Sequence, residues 1–556
     1  MAETTTLPIL PTAALVCTVA LGIYLSVIFP IFLHPLRHIP AAHWSIPLFG
    51  DCWILYQRFR SRNNAVTYAA HLKHGEVVRL GRNELSVNCV DNGIKTIYGG
   101  GFEKHAWYPQ QFASYGVVNM FSTMHHAPHS QKKRTMANVY SKSFIAASPQ
   151  VAANSKTLIT TRFLPLIHSL AESGEPVNMH DVDNAMTMDF MSAYQYGLAN
   201  STNFTQDLAQ RQYILHHYHS RRPYEFYSSE LPWLKPMGEK VGIHLVPKLL
   251  DKANDILEDW GRNMCQGADS WLSNPTDNPG DEPVVYKQFK QGLTNLRTKS
   301  PDAGRAKEDL ILPTHTISQQ GDDTPYEVYS EMLDHLGAGH ETSAVALTYL
   351  WHELAQNPTL QSALRKEIRT LNPRITWPLP PDTSPETFTL PSPKQIDALP
   401  LLQATLWEVL RLHAPIPGME PRVTPPTPTG TTLGSYSGIP GGVRVSAMPY
   451  CLHRNPTVFP DPETFNPRRW LADGQHTPPA LLKEMHRWFW AFGSGGRMCI
   501  GSHLAVQEIK LVVCALIGNY EVSVPEGGDE GIEAIDAYTV RPTSNRLMVN
   551  WKVARV

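Results

Sequence analysis

Between Phe492 and Gly501 the chain sets four glycines around one cysteine, as Phe492-Gly493-Ser494-Gly495-Gly496-Arg497-Met498-Cys499-Ile500-Gly501. Glycine adopts φ > 0 at little cost and lets backbone approach a partner closely, so this loop can turn tightly beneath a flat ligand. Apolar residues then recur through Leu504, Ile509, Leu511, Val512 and Ala515 to a stop at Gly518-Asn519. The spacing predicts a helix that starts at Cys499. Unpaired N–H groups and the helix dipole at such a start lower a thiol pKa and favour the thiolate, the form that ligates metal. Arg497 is placed to pair with an anionic edge of the ligand. Two plainer readings compete. A lone cysteine is ordinarily a small hydrophobe, and a glycine-rich loop before a helix can cradle a phosphate. The dinucleotide pattern G-x-G-x-x-G fails, because Met498 holds its last glycine position.

Composition narrows the setting. With 42% hydrophobic and 18% charged residues over 556 positions, wholesale disorder is excluded. A formal net charge of -2 argues against a nucleic-acid binder. The 46 prolines show no period and point to many irregular connections. None of the seven cysteines forms a C-x-x-C pair, so neither a structural zinc site nor a disulfide framework is indicated. From Leu7 to Leu33 no side chain is charged, enough for a helix of about 20 residues to cross a bilayer. A cleaved signal peptide wants a basic start and small residues at its end. This start carries Glu3, and the run ends in Pro30 and bulky residues, which favours an anchor. Arg37, Lys73, Arg79 and Arg82 follow the span, which leaves the main body cytosolic and the sequons at Asn200 and Asn203 unused.

Residues 35–50 read as a proline-rich tether after a 1–34 anchor, with one large domain over 51–556. Val77 to Val90, broken at Gly81-Arg82-Asn83, reads as a hairpin. The stretch 265–325 is polar and rich in Pro, Asp and Gly, which predicts an exposed connection with limited helix. A second Pro-rich stretch, 372–395, separates helical regions. Two more helices are predicted. One is capped by Thr324-Pro325-Tyr326-Glu327 and runs to Asn357-Pro358; the other spans about Leu399 to His413. The fold class is mainly α with a small β region.

The pattern Phe492-Gly493-x-Gly495-x-Arg497-x-Cys499-x-Gly501 resembles the haem-binding loop of cytochromes P450 at every defining position. Ala338-Gly339-His340-Glu341-Thr342-Ser343 resembles the family's oxygen-activation motif, and Glu408-Val409-Leu410-Arg411 its E-x-x-R. Phe465-Asn466-Pro467-Arg468-Arg469-Trp470 resembles the segment that completes its charge triad. The resemblance implies a P450 fold behind one transmembrane helix, and haem b with Cys499 as axial ligand through its thiolate. Phe492 and Arg497 would then be cofactor contacts, with Arg497 on a propionate. Glu341 and Thr342 would deliver protons, and the glycines Gly337 and Gly339 would leave room for a ligand against the helix. Glu408, Arg411 and Arg469 would form a structural triad, Glu408 and Arg411 sharing one helix face.

The family's Trp-x-x-x-Arg aligns with His129 and Lys133, beside Arg134, which leaves open which basic residue meets a propionate. Arg422 resembles the strand arginine that reaches one. His453-Arg454 matches a segment common in fungal members, with a structural role as the alternative. Without a nicotinamide or flavin fingerprint, electrons are expected from NADPH through a separate membrane-bound reductase. Arg487, Arg497 and Lys510 are candidates to dock it, a merely solvated surface being the other reading for Arg487. The implied activity is monooxygenation of an apolar small molecule at the endoplasmic reticulum membrane, as a tailoring step in fungal secondary metabolism (terpenoid, polyketide or alkaloid). The alternatives are a P450-fold isomerase or dehydratase, and a non-catalytic haem-binding sensor.

Overall fold

The structure is a computed structural model and describes residues 9–300, 324–472 and 474–555. Contacts divide the chain into two units. One comprises Met1–Glu103 with Met419–Leu452, the other Lys104–Gly418 with His453–Val556.

The first unit begins with helix α1 (Ile9–Ile23), which continues over Tyr24–Leu33 with wider, π-type winding around Pro30. Proline offers no N–H, so the regular ladder fails there. Ala13–Leu33 is uncharged, almost wholly exposed and 21 residues long, about 32 Å at 1.5 Å per residue, the span of a bilayer core. The tether then turns twice, Arg37 N–H donating to His34 O and Ile39 N–H to Leu36 O. The predicted hairpin is present as Val77–Gly81 against Glu84–Val87, with Gly81 opposite Glu84. Its second strand pairs in parallel with Arg444–Ser446, which pairs antiparallel with Arg422–Val423.

The second unit is mainly helical. Its relevant helices are α2 (His126–Met136), α3 (Met179–Tyr196), α4 (Leu208–Ser220), α5 (Leu249–Ser273), α6 (Val284–Lys299), α7 (Thr324–Gln356), α8 (Pro400–Leu412) and α9 (Ser502–Asn519). The long α7 packs along α3, and almost every side chain of α3 is buried. One core gathers Leu347, Leu350 and Trp351 of α7 with Leu406 and Val409 of α8 and Val512 and Leu516 of α9. A second joins α3, α5 and α6 to Val328, Met332 and Leu336 of α7. Each such side chain withdrawn from water contributes about 1.5–3 kcal/mol, and together they hold α7 and α9 in fixed positions.

The stretch 265–325 is more helical than its composition predicts, since α5 runs to Ser273 and α6 fills Val284–Lys299. The missed signal is the four-residue spacing of Val285, Phe289 and Leu293, all buried. Residues 301–323 of that stretch lie outside the described residues, as does the Thr324 side chain proposed as a cap. Residues 372–392 are irregular, as expected, and separate Pro358–Ile368 from α8.

Candidate active site

The cysteine loop is fastened at both ends. Trp490 N–H donates to His453 Nε2 at 2.8 Å, while His453 Nδ1–H donates to the Arg411 carbonyl at 3.0 Å. Gly493 and Gly495 have φ of +67° and +71°, a region that penalises any Cβ. Met498 N–H closes on Gly495 O, and Cys499 N–H on Phe492 O at 2.9 Å. Helix α9 starts at Ser502, so Cys499 precedes the helix by three residues instead of opening it. Its thiol still receives the N–H groups of Gly501 and Ser502. Burial pushes the thiol above its usual pKa, against the pull of those N–H groups and the Lys133 ammonium. Cys499 nevertheless keeps an exposed surface, so the sulfur borders an open space within the protein mass.

Basic side chains surround the loop. Lys133 donates to Gly496 O at 2.9 Å and Met498 O at 2.7 Å. Arg497 donates to Thr123 O at 2.7 Å and to Met124 O. His129 is driven down to about 2, first by burial and then by Arg497, Lys104 and Lys133, so it is neutral. Lys104 and Lys132 complete the set and were not evident from sequence; they hold Phe121 O at 2.6 Å and Val118 O at 3.0 Å. Arg134 points outward. Cationic groups bonded to carbonyl oxygens beside an accessible thiol form a donor set that fits an anionic, iron-bearing ligand.

On α7, Glu341 is buried and salt-bridged to Arg222, and accepts Tyr218 OH at 3.0 Å. Burial raises its pKa, but Arg222, His340, Tyr218 and Arg541 outweigh that and hold it below the usual carboxylate range. Thr342 donates to Ala338 O at 2.8 Å, the i−4 bond that loosens a helix. The two glycines do not leave ligand room as expected. A Cβ on Gly339 would collide with the Met191 sulfur, and one on Gly337 would lie 3.3 Å from Tyr218 Oη. Their small size lets α3 and α4 approach α7.

Glu408 lies in contact with both Arg411 and Arg469. Arg411 donates to both Glu408 oxygens at 2.9 and 2.8 Å, and Arg469 Nε donates at 3.0 Å. Trp470 Nε1 (2.8 Å) and Asn466 N–H (2.9 Å) add to them. Burial alone would raise the Glu408 pKa, yet Arg411 and Arg469 depress it.

Residues 285–548 match the cytochrome P450 family profile. The chain is 25% identical to the cytochrome P450 monooxygenase orf2 of Aspergillus niger, over 96% of both chains. It is 27% identical to the cytochrome P450 monooxygenase avaI of Aspergillus versicolor, over 79% of this chain and 94% of that one. To the cytochrome P450 monooxygenase tazI of Aspergillus terreus it is 35% identical, over 42% and 43%. The chain thus carries a cytochrome P450 domain. It is an oxidoreductase of the monooxygenase type, and such a domain implies haem iron.

Arg422 is a buried strand residue of the first unit, its guanidinium 4.9 Å from the Tyr98 ring and its Nη1 donating to Pro421 O at 3.0 Å. Lys510 is buried against Asp397 at 2.6 Å, so it is no docking cation. Arg487 pairs with Glu484 three residues earlier at 2.5 Å. Arg454 pairs with Glu463 and caps the Leu412 carbonyl. His453-Arg454 is therefore structural, tying α8 to the cysteine loop.

Proposed function

We propose that this P450 binds haem b through the Cys499 thiolate and oxygenates a small, largely apolar molecule as a tailoring step of fungal secondary metabolism. The carrying observation is the Cys499 thiol, open to interior space and flanked by Lys133, Arg497 and the N–H groups of Gly501 and Ser502. Arg497, Lys133 and His129 would hold the propionates, and Phe492 would pack beside the ring. A propionate role for Arg422 rests on the resemblance alone. The chemistry supplied by bound haem is reductive activation of dioxygen, one atom entering the substrate and the other leaving as water.

The chain's own residues set the conditions. Lys133 favours the thiolate, and the Arg497 bonds to Thr123 O and Met124 O fix the loop. Thr342 and Glu341 are the groups proposed to hold and move protons, Thr342 after exchanging its bond to Ala338 O for one to a bound water. Electrons would come from NADPH through a separate reductase. Residues 1–34 would form the anchor, 35–50 the tether and 51–556 the catalytic domain, with the body facing the cytosol at the endoplasmic reticulum. The uncharged Ala13–Leu33 helix supports membrane residence, and so do exposed Trp233, Met237, Val241, Ile243 and Leu249 in the second unit.

The test is the difference spectrum of the reduced, CO-bound protein. We expect the red-shifted band of thiolate-ligated haem, lost in Cys499→Ser while haem is still bound. A wild-type spectrum typical of a histidine-ligated haem would sink the assignment.

A further inference from the structure

Five acids lie on α7, and four of them are engaged. Glu327 pairs with Arg297 at 2.5 Å, and Glu353 pairs with His413 at 2.8 Å. Glu331 accepts Met120 N–H at 2.7 Å and faces His335 Nε2 at 3.2 Å, while Glu341 is held by Arg222 and Tyr218. Asp334 is the exception: among the described residues it makes no hydrogen bond or ion pair.

Its position is informative. Asp334, Ala338 and Thr342 are spaced by four and form one strip along the helix. In a helix whose Met332, Leu336, Val345 and Leu347 are fully buried, Ala338 is exposed, and Asp334 and Thr342 are partly exposed. The strip therefore borders interior space, on the face that carries the proposed proton-delivery hydroxyl. A chain of electrostatic neighbours links Asp334 to the cysteine loop. It feels Lys104, and Lys104 also acts on His129, which feels Arg497. Lys104 is not a partner in waiting, because its ammonium sits on Phe121 O and over the rings of Tyr108 and Phe121 at 3.9 and 3.8 Å.

We propose that Asp334 makes this P450 select substrates that carry a hydrogen-bond donor, a hydroxyl or an ammonium group, over hydrocarbons of the same shape. The proposal rests on the monooxygenase reading above and names the substrate class for that site. An unpartnered carboxyl away from bulk water costs free energy that a donor on the substrate recovers. Burial has already carried this carboxyl to about 7, with Glu331 adding to the shift and His335 and Lys104 opposing it. At neutral pH it accepts a hydrogen bond from an alcohol and ionises fully against an ammonium. Asp334 and Thr342 are eight positions apart, about 12 Å along the axis, so the donor lies a scaffold's length from the oxidised carbon.

The test titrates holoenzyme with phenylcyclohexane, trans-4-phenylcyclohexanol and trans-4-phenylcyclohexylamine, by equilibrium dialysis and by the substrate-induced change in the haem spectrum. The preference for alcohol over hydrocarbon should fall at least about tenfold from wild type to Asp334→Leu, as expected for a lost hydrogen bond to a carboxylate. Asp334→Asn, which still accepts a hydrogen bond, should keep the alcohol and lose the amine. Equal alcohol-to-hydrocarbon ratios in wild type and Asp334→Leu overturn the proposal, as does a wild type that binds neither polar probe. Haem content and the reduced CO band, read on each variant, show that the fold persists. A wild type lacking the thiolate band defeats the haem-thiolate reading instead, while dialysis still measures the discrimination.

Discussion

On α8 the Glu408 carboxylate receives five hydrogen bonds, from Arg411 twice, Arg469, Trp470 and the Asn466 N–H. On α7 Asp334 receives none among the described residues, and Glu341 lies between these extremes with Arg222 and Tyr218. All three sit in one helical unit, so the contrast is not one of fold class or general depth. A charge that holds the fold is saturated by groups of the protein, because an ion taken from water needs several partners before it stops destabilising. A charge left open costs stability at every moment, and that cost is recovered only when a ligand arrives. The degree of saturation therefore separates the scaffold from the working face of this P450.

The largest way to test that separation is Glu408→Ala. It leaves the Arg411 and Arg469 guanidiniums buried without their counter-charge, and breaking a buried pair in this way costs about 3–5 kcal/mol. Because Arg411 also holds His453 O, Pro462 O and Thr464 O, and His453 holds Trp490, the damage reaches the cysteine loop. We expect a protein that unfolds at lower denaturant and purifies without haem. Normal haem occupancy with an unchanged unfolding midpoint would show that the saturated set is not scaffold.

The scaffold side of this contrast was legible in the sequence. Glu408 and Arg411 are one helical turn apart, and local spacing alone puts them on one face. Arg469 joined them through a family resemblance, and the structure brings all three together. The working side was less legible. Arg222 meets Glu341 across 119 residues, Lys104 comes from a segment with no motif, and Lys132 lies inside the His129–Lys133 segment without being one of its aligned positions. Such partners are set by how α4 and α2 pack, which no local pattern encodes. Gly337 and Gly339 illustrate the same limit. Glycine in a helix signals a close approach without saying what approaches, and here it is Tyr218 and Met191 rather than a ligand. The position of Cys499 shifted for a local reason: two positive-φ glycines and the turn at Gly495–Arg497 postpone the helix to Ser502.

A smaller effect is expected from Arg222→Ala. Glu341 keeps Tyr218 OH and the field of Arg541, so it loses one charge-assisted bond rather than all compensation. The cost should be about 1.5–3 kcal/mol, below that of Glu408→Ala, with haem retained. The Glu341 pKa should rise, because the largest influence opposing its burial is gone. If proton delivery runs through Glu341, the pH dependence of NADPH-supported turnover should move with it. A stability loss equal to that of Glu408→Ala would place Glu341 among the saturated scaffold charges instead.

The smallest effect, and the sharpest in sign, belongs to Asp334→Asn. The folded protein holds the Asp334 proton up to about 7, whereas the unfolded chain releases it near the ordinary value of 3.8. Between those values the native state binds more protons than the unfolded state, so this residue makes stability fall as pH rises. Below the window it contributes nothing, and above about 7 the loss is complete. The groups that face it, Glu331 and His335 on α7 and Lys104 from outside it, are present in both proteins and largely cancel in the difference. The variant should therefore match wild type in acid and become progressively more stable than it between about pH 4 and pH 7, then hold a constant lead. Because Asp334 is partly exposed, the lead should stay below the Arg222 effect. Unfolding midpoints of the two holoproteins across that range give the answer. A difference that shrinks as pH rises would mean that Asp334 is stabilised as an anion by the protein itself. It would then belong with Glu408, and not with the groups that wait for a ligand.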